Sequence, residues 1–197
     1  MEREAYIEKD WLTVENYQFK ILVMIAVLAE NHLAYRGKLK DMCEFLGVDN
    51  STSNTKKIKE AIAALEAAGD IKTIKDGHTW TLTLSVKAEK KKKIIKIKNA
   101  WIAAIQQYKC EKGDAVSWEN ILKVLVYLTA DKTDIKRYDV IAKDLCVSVD
   151  VVKRSVKALD GINFGDLGIT RKLAWIKLGE DEYKVVGQRI EVGYIFD

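Results

Sequence analysis

Three clusters of cationic side chains carry the chemistry open to this sequence. Lys56, Lys57 and Lys59 lie within four residues, and Lys153, Arg154 and Lys157 within five. The stretch "KAEKKKKIIKIK", residues 87–98, holds seven lysines, Lys90, Lys91, Lys92 and Lys93 among them, against one glutamate. Ammonium and guanidinium groups at such spacing suit the capture of phosphates, each contact releasing a condensed counterion. The formal net charge is only +4, but residues 1–86 balance at −2 and residues 99–197 at zero, so the excess lies wholly in that twelve-residue block. The plain alternative for such a block is a solvated linker or the start of a helix.

Other chemistries find less support. Cys43, Cys110 and Cys146 are odd in number and widely spaced, matching neither a disulfide framework nor a metal site, and a reducing cytosol is the simplest setting. His32 and His78 sit near no cysteine or acidic pair. "GDLG" (Gly165–Gly168) reads as a loop without phosphate-cradle spacing, and "DKTDIKRYD" lacks a calcium-loop pattern. Trp11, Trp80, Trp101, Trp118 and Trp175 fall on amphipathic elements, so core packing outweighs stacking on single strands. The expectation is a protein without catalytic constellation, cofactor or metal. The longest apolar run, Ile21–Ala29, has nine residues, about half of what a spanning helix needs, and "MEREAYIEKD" has no apolar signal core, so a cytoplasmic location is expected.

The basic clusters need elements to hold them. "IAKDLCVSVDVVKRSVKAL" (Ile141–Leu159) reads as two short helices joined by a tight turn. It has an upstream partner. "LKDMCEFLGV" (Leu39–Val48) aligns with "YDVIAKDLCV" (Tyr138–Val147) at an offset of 99, and the apolar helices before them keep that offset. The helices that follow align at 94, Ile58 with Val152, Ile62 with Val156 and Leu65 with Leu159, and "DNSTSNT" is expected to supply five extra residues between the helices of the first copy. Each copy opens with an apolar helix (Tyr17–Glu30; Ser117–Thr129, with Ser117 as N-cap) and closes with alternating residues. Asp76-Gly77 marks one hairpin; longer strands flank Gly179–Glu182 in the other, where Tyr194–Phe196 completes the sheet, favoured here, or pairs across a dimer. Ile95–Tyr108 reads as a helix with Ala100, Trp101, Ala104 and Ile105 on one face.

Within each pair the steep crossing needs a small residue, supplied by Cys43 and Ala142. Gly47 suits a left-handed turn; Cys146 in its place costs strain or a different turn. Val48 and Val147 are expected in the core, and Ser148 caps the next helix. Val152, Val156 and Leu159 then face inward and leave Lys153, Arg154 and Lys157 outward.

"LKDMCEFLGV…TKKIKEAIAALEAAGDI" resembles the winged helix-turn-helix of many bacterial and phage DNA-binding proteins. Together with "YQFKILVMIAVLAEN" it resembles the N-terminal domains of plasmid replication initiators and phage replisome organisers, and "IAKDLCVSVDVVKRSVKAL" resembles the helix pair of transcription regulators. The resemblance implies an α+β, mainly α fold: winged-helix domains over 1–86 and 113–197, and a basic, partly helical connector over 87–112. It implies double-stranded DNA as partner, with the second helix of each pair in a major groove and the wing near the backbone. Asn54, Thr55, Lys56, Lys57 and Lys59, with Lys75 and His78 of the wing, would make the first contact; Ser148, Lys153, Arg154 and Lys157 the second; Lys90–Lys93 would add phosphate contacts. Asp150 could accept from a cytosine or merely favour the helix start. The acidic tip Gly179–Glu182 argues against that wing following phosphates. Replication initiation or its control is the expected role. Transcription regulation and an adaptor that docks proteins are the alternatives, and a homodimer or a replication or transcription protein remains open as partner.

Overall fold

The apolar helix of the first copy forms as its pattern dictates. α1 spans Asn16–Leu28, and the Glu15 carboxylate accepts from the Tyr17 N–H at 2.8 Å and the Gln18 N–H at 3.3 Å, closing its start. Phe19 and the run Ile21–Ala26 are buried all round the helix, which places α1 at the centre of a core rather than on its surface. A computed structural model describes residues 3–29, 33–85, 94–130, 137–164, 167–177 and 183–194, the last two segments as backbone strands. The chain is α+β with helix predominant and small antiparallel sheets, and it divides into two units, Met1–Asn99 and Ala100–Asp197.

In the first unit β1 (Glu4–Glu8) and a 3-10 turn (Lys9–Thr13) precede α1. Then follow β2 (Ala34–Lys38), α2 (Leu39–Leu46), α3 (Thr52–Ala67), β3 (Ile71–Asp76), β4 (Thr79–Leu84) and β5 (Ile94–Lys98). β2, β4 and β3 form one antiparallel sheet in that order. β3 and β4 turn through Gly77, at φ +57°, and His78, so the hairpin predicted at Asp76-Gly77 exists with Asp76 as its last strand residue. Leu82 and Tyr35 of this sheet are buried, as are Met42, Ile58, Ile62 and Leu65 of the helices.

The second unit holds most of α4 (Asn99–Gln107), then α5 (Trp118–Ala130), α6 (Tyr138–Asp144), α7 (Val149–Gly161) and an antiparallel hairpin of β6 (Leu167–Lys177) and β7 (Tyr183–Tyr194), with a bulge at Ala174/Trp175. Ile121, Leu122, Val124 and Leu125 of α5 pack in a core with Ile141, Ala142, Val152, Val156 and Leu159. Trp101 meets Phe164 edge to face at 6.1 Å, and Trp11 is likewise buried.

The two helix pairs share one turn. In the first, the Gly47 N–H donates to the Glu44 carbonyl at 3.1 Å and the Val48 N–H to the Cys43 carbonyl at 3.0 Å. In the second, Cys146 N–H donates to Lys143 at 3.2 Å and Val147 N–H to Ala142 at 3.0 Å. Gly47 sits at φ +69° and Cys146 at φ +54°, so the non-glycine residue adopts the left-handed turn rather than a different one. Cys43 and Ala142 are buried. Ser51 and Ser148 cap α3 and α7 through their hydroxyls, which accept from the Asn54 and Val151 N–H groups.

Four expectations are corrected. Ile95–Lys98 is not helical: Ile94–Lys98 is a strand antiparallel to β1, with Ile95 and Ile97 buried and Ile94 exposed, and only Asn99–Gln107 forms the helix, burying Trp101, Ile102 and Ile105. Alternation wins there because a partner strand exists at the N-terminus. The extra residues of the first copy do not all lie between its helices: Ser51 follows Leu46 by five positions where Ser148 follows Leu145 by three, and the other three lengthen α3 by nearly a turn. Val48 and Val147 are half-buried rather than core. Leu167 and Gly168 of "GDLG" begin β6; Gly165 and Asp166 lie outside the described residues.

Candidate nucleic-acid interface

The start of α2, the first turns of α3 and the β3–β4 hairpin enclose a groove of about 290 Å³. Thr55, Lys59, Lys75 and His78 line it, four of the residues singled out from the sequence. Lys38, Lys40 and Asn50 line it too and were missed, and Trp80, expected in the core, is half-buried and lines it. Among the described residues no carboxylate lines this groove, while four ammonium groups do. Lys75 Nζ sits 5.4 Å from the Trp80 ring centroid, so the indole face steadies one of them. Lys59 is exposed and has no ion-pair partner among the described residues. The missed lysines bracket the junction of β2 and α2, where the Asp41 carboxylate accepts from the Lys38 N–H at 2.8 Å. A Lys-x-Lys pair at a helix start was the available signal.

The rest of the first cluster is partly committed to local structure. The Asn54 amide donates to the Asp49 carboxylate at 2.9 Å and its oxygen accepts from the Tyr17 hydroxyl at 3.2 Å. Hydrogen bonds from Ser51 and then from Asn54 hold Asp49 below the usual carboxylate range. The Thr55 hydroxyl donates back to the Ser51 and Thr52 carbonyls, at 3.0 and 3.1 Å. Asn54 and Thr55 therefore shape the start of α3. Lys56 reaches Glu60 at 3.7 Å with both side chains largely exposed, a weak tie. Lys57 lies 5.8 Å from the Tyr17 ring.

The second cluster divides. Lys153, at the position matching Lys59, is exposed. Arg154 is taken up within its own unit: one guanidinium nitrogen donates to the Ala115 carbonyl at 2.8 Å and another to the Asp150 carboxylate. Lys157 contacts Asp114 and lies 3.6 Å from Glu111. Asp114 foremost holds the Lys157 ammonium above the ordinary lysine value. Asp150 is the ion-pair partner of Arg154, and Ser148 is spent as a cap. Lys90–Lys93, His32 and the acidic tip Gly179–Glu182 lie outside the described residues, as do Ile195 and Phe196.

Cys43 is buried and burial foremost pushes its thiol up, which makes it a poor nucleophile. Among the described residues no group of three His, Cys, Asp or Glu side chains is placed to hold a metal ion. Among the described residues no helix is long and apolar enough to cross a membrane. Set against models of protein families, curated proteins and solved structures, the chain matches none of them.

Proposed function

We propose that this chain is a double-stranded DNA-binding protein built from two winged helix-turn-helix units, and that the first unit carries the contact in its Lys38–Lys40–Lys59–Lys75 groove. The observation that carries the reading is the charge of that groove: four lysines and His78 line it from three elements, and no carboxylate is among its lining residues. Ammonium groups brought together without counter-charges repel one another, an arrangement that a polyanion relieves. The elements around the groove, a helix pair and an adjoining hairpin, are those that place a second helix in a major groove with a wing on the backbone. Support for the helix-pair geometry comes from the shared left-handed turn of Gly47 and Cys146.

The resemblance to replication initiators suggests a role in starting or controlling replication on a plasmid or phage. Footprinting on the DNA flanking the gene tests it: repeated sites support the role, and a single site over the promoter favours transcription control. Binding itself is tested by fluorescence anisotropy on a labelled duplex across a salt series. Four phosphate contacts give a log–log slope of about −3.6, which is about a 150-fold loss of affinity between 50 and 200 mM salt. A slope near zero removes the reading.

A further inference from the structure

The cationic side of α7 is covered by its own chain. The segment from Glu111 to Ala115 runs ahead of α5 and is largely exposed. It turns at Gly113, φ +98°, and brings Asp114 and Glu111 to Lys157 and the Ala115 carbonyl to Arg154. It stands off the helix: a cavity of about 310 Å³ lies between them, lined by Tyr108, Cys110, Asp114, Arg154 and Lys157 among others. The grip is therefore polar and solvent-accessible rather than packed. The matching place in the first unit is built differently. Glu15, ahead of α1, directs its carboxylate to the N–H groups of its own helix, and α3 carries Glu60 and Ala63 where α7 carries Arg154 and Lys157.

We infer that the Glu111–Ala115 segment is an autoinhibitory strap, an internal anion that occupies Arg154 and Lys157 and withholds the second unit from DNA until a phosphate backbone displaces it. The inference takes its ligand class from the proposed function and adds its regulation. Two carboxylates and a carbonyl stand where phosphate oxygens would bind, and exposed ion pairs of this kind are weak enough to exchange for a polyanion. In the resting chain only Lys153 of the second cluster stays open, so the two units contribute unequally: the first makes the initial contact and the second joins at the cost of opening the strap.

The test is a mutant cycle read by anisotropy on a labelled duplex, in the full chain. Glu111→Gln with Asp114→Asn opens the strap. It is expected to tighten binding by about threefold to tenfold and to steepen the salt slope by about one to two, as one or two more phosphates are engaged. Added to the opened chain, Arg154→Ala with Lys157→Ala cancels that gain. If the opened chain binds no tighter, or if its gain survives loss of Arg154 and Lys157 and so reflects bulk charge alone, the strap is overturned and the cover on α7 is structural. Glu111→Gln alone, which removes one charge from an exposed pair, is expected to show part of the gain and serves if circular dichroism shows the double variant unfolded; no gain there is also a refutation. Should the wild type bind no duplex, the first-unit reading fails separately, and the strap then stands or falls on whether the opened chain acquires binding.

Discussion

Exchanging the residues of the shared turn isolates one conformational cost. Gly47 and Cys146 hold the same left-handed position after α2 and α6, with the same pair of backbone hydrogen bonds. A side chain in that region costs roughly 1–2 kcal/mol, while glycine gives back roughly 0.5–1 kcal/mol through the freedom of the unfolded chain. A Cβ at Gly47 meets nothing within 4 Å, so Gly47→Ala carries the conformational cost alone and is expected to destabilise the first unit by about 1 kcal/mol. Cys146 is exposed, and its sulfur contacts the Lys143 carbonyl only at 3.9 Å, so Cys146→Gly gives up little and should stabilise the second unit by about 0.5–1 kcal/mol. For units of about 100 residues that is a downward shift near 4–8 °C in one transition and an upward shift near 2–8 °C in the other. Scanning calorimetry on the full chain reads both. Cys146→Ala keeps the left-handed burden without the thiol and should leave the melt unchanged. If Cys146→Gly fails to raise its transition while Gly47→Ala lowers the other, the turn at Cys146 carries no strain and the account of the repeat is wrong at that point.

Further expectations concern the groove, the strands and the core. Lys59→Ala and Lys75→Ala should each flatten the salt dependence of duplex binding by about 0.9 in log–log slope while the circular dichroism melt stays in place. Ile97→Ala should cost about 2–5 kcal/mol in urea unfolding and Ile94→Ala less than about 0.5 kcal/mol, because only the first is buried in the strand; equal costs would contradict the β1–β5 pairing. Burial, then the nearby Asp41 charge, pushes the Tyr35 hydroxyl up to about 12. The unfolded chain therefore releases that proton first as pH rises through 10, and stability falls between about pH 10 and 12. Absorbance titration should show one late-ionising tyrosine that Tyr35→Phe removes. That variant should otherwise be neutral or stabilising, since the buried hydroxyl has no hydrogen-bond partner among the described residues.

What the sequence showed, and what it hid, follows from range. The helix pairs and the first hairpin were legible because their signals are local: a small residue at the crossing, a serine cap, an apolar residue every third or fourth place, and Asp76-Gly77 at a turn. The Cys43 and Ala142 match held because burial at a crossing leaves few residue types open. β1 and β5 escaped because "EAYIE" and "IIKIK" are five residues each and find one another across the whole first unit. Five alternating residues before a helix with a buried Trp101 look like that helix begun early. The groove was half legible. Lys59 and Lys75 could be named, but Lys38 and Lys40 join them only once β2 is known to pair with β4. The fate of Arg154 and Lys157 was hidden for the same reason, since helical spacing predicts which side chains point outward but not that the Ala115 carbonyl and the Asp114 carboxylate, some forty positions earlier, return to meet them.

The pairing of β1 with β5 also sets a timetable for synthesis. Lys98 is synthesised roughly 5–20 s after its partner Glu4 at ordinary elongation rates of about 5–20 residues per second. Until then Ala5 and Ile7 have no strand to close over them, although α1, α2, α3 and the β3–β4 hairpin have all emerged. The nascent chain thus passes through an interval with most of its first unit translated and one ribbon edge unclaimed. That edge is open to a chaperone or to the same segment of a neighbouring nascent chain, and codon choice just before residue 94 sets how long the exposure lasts.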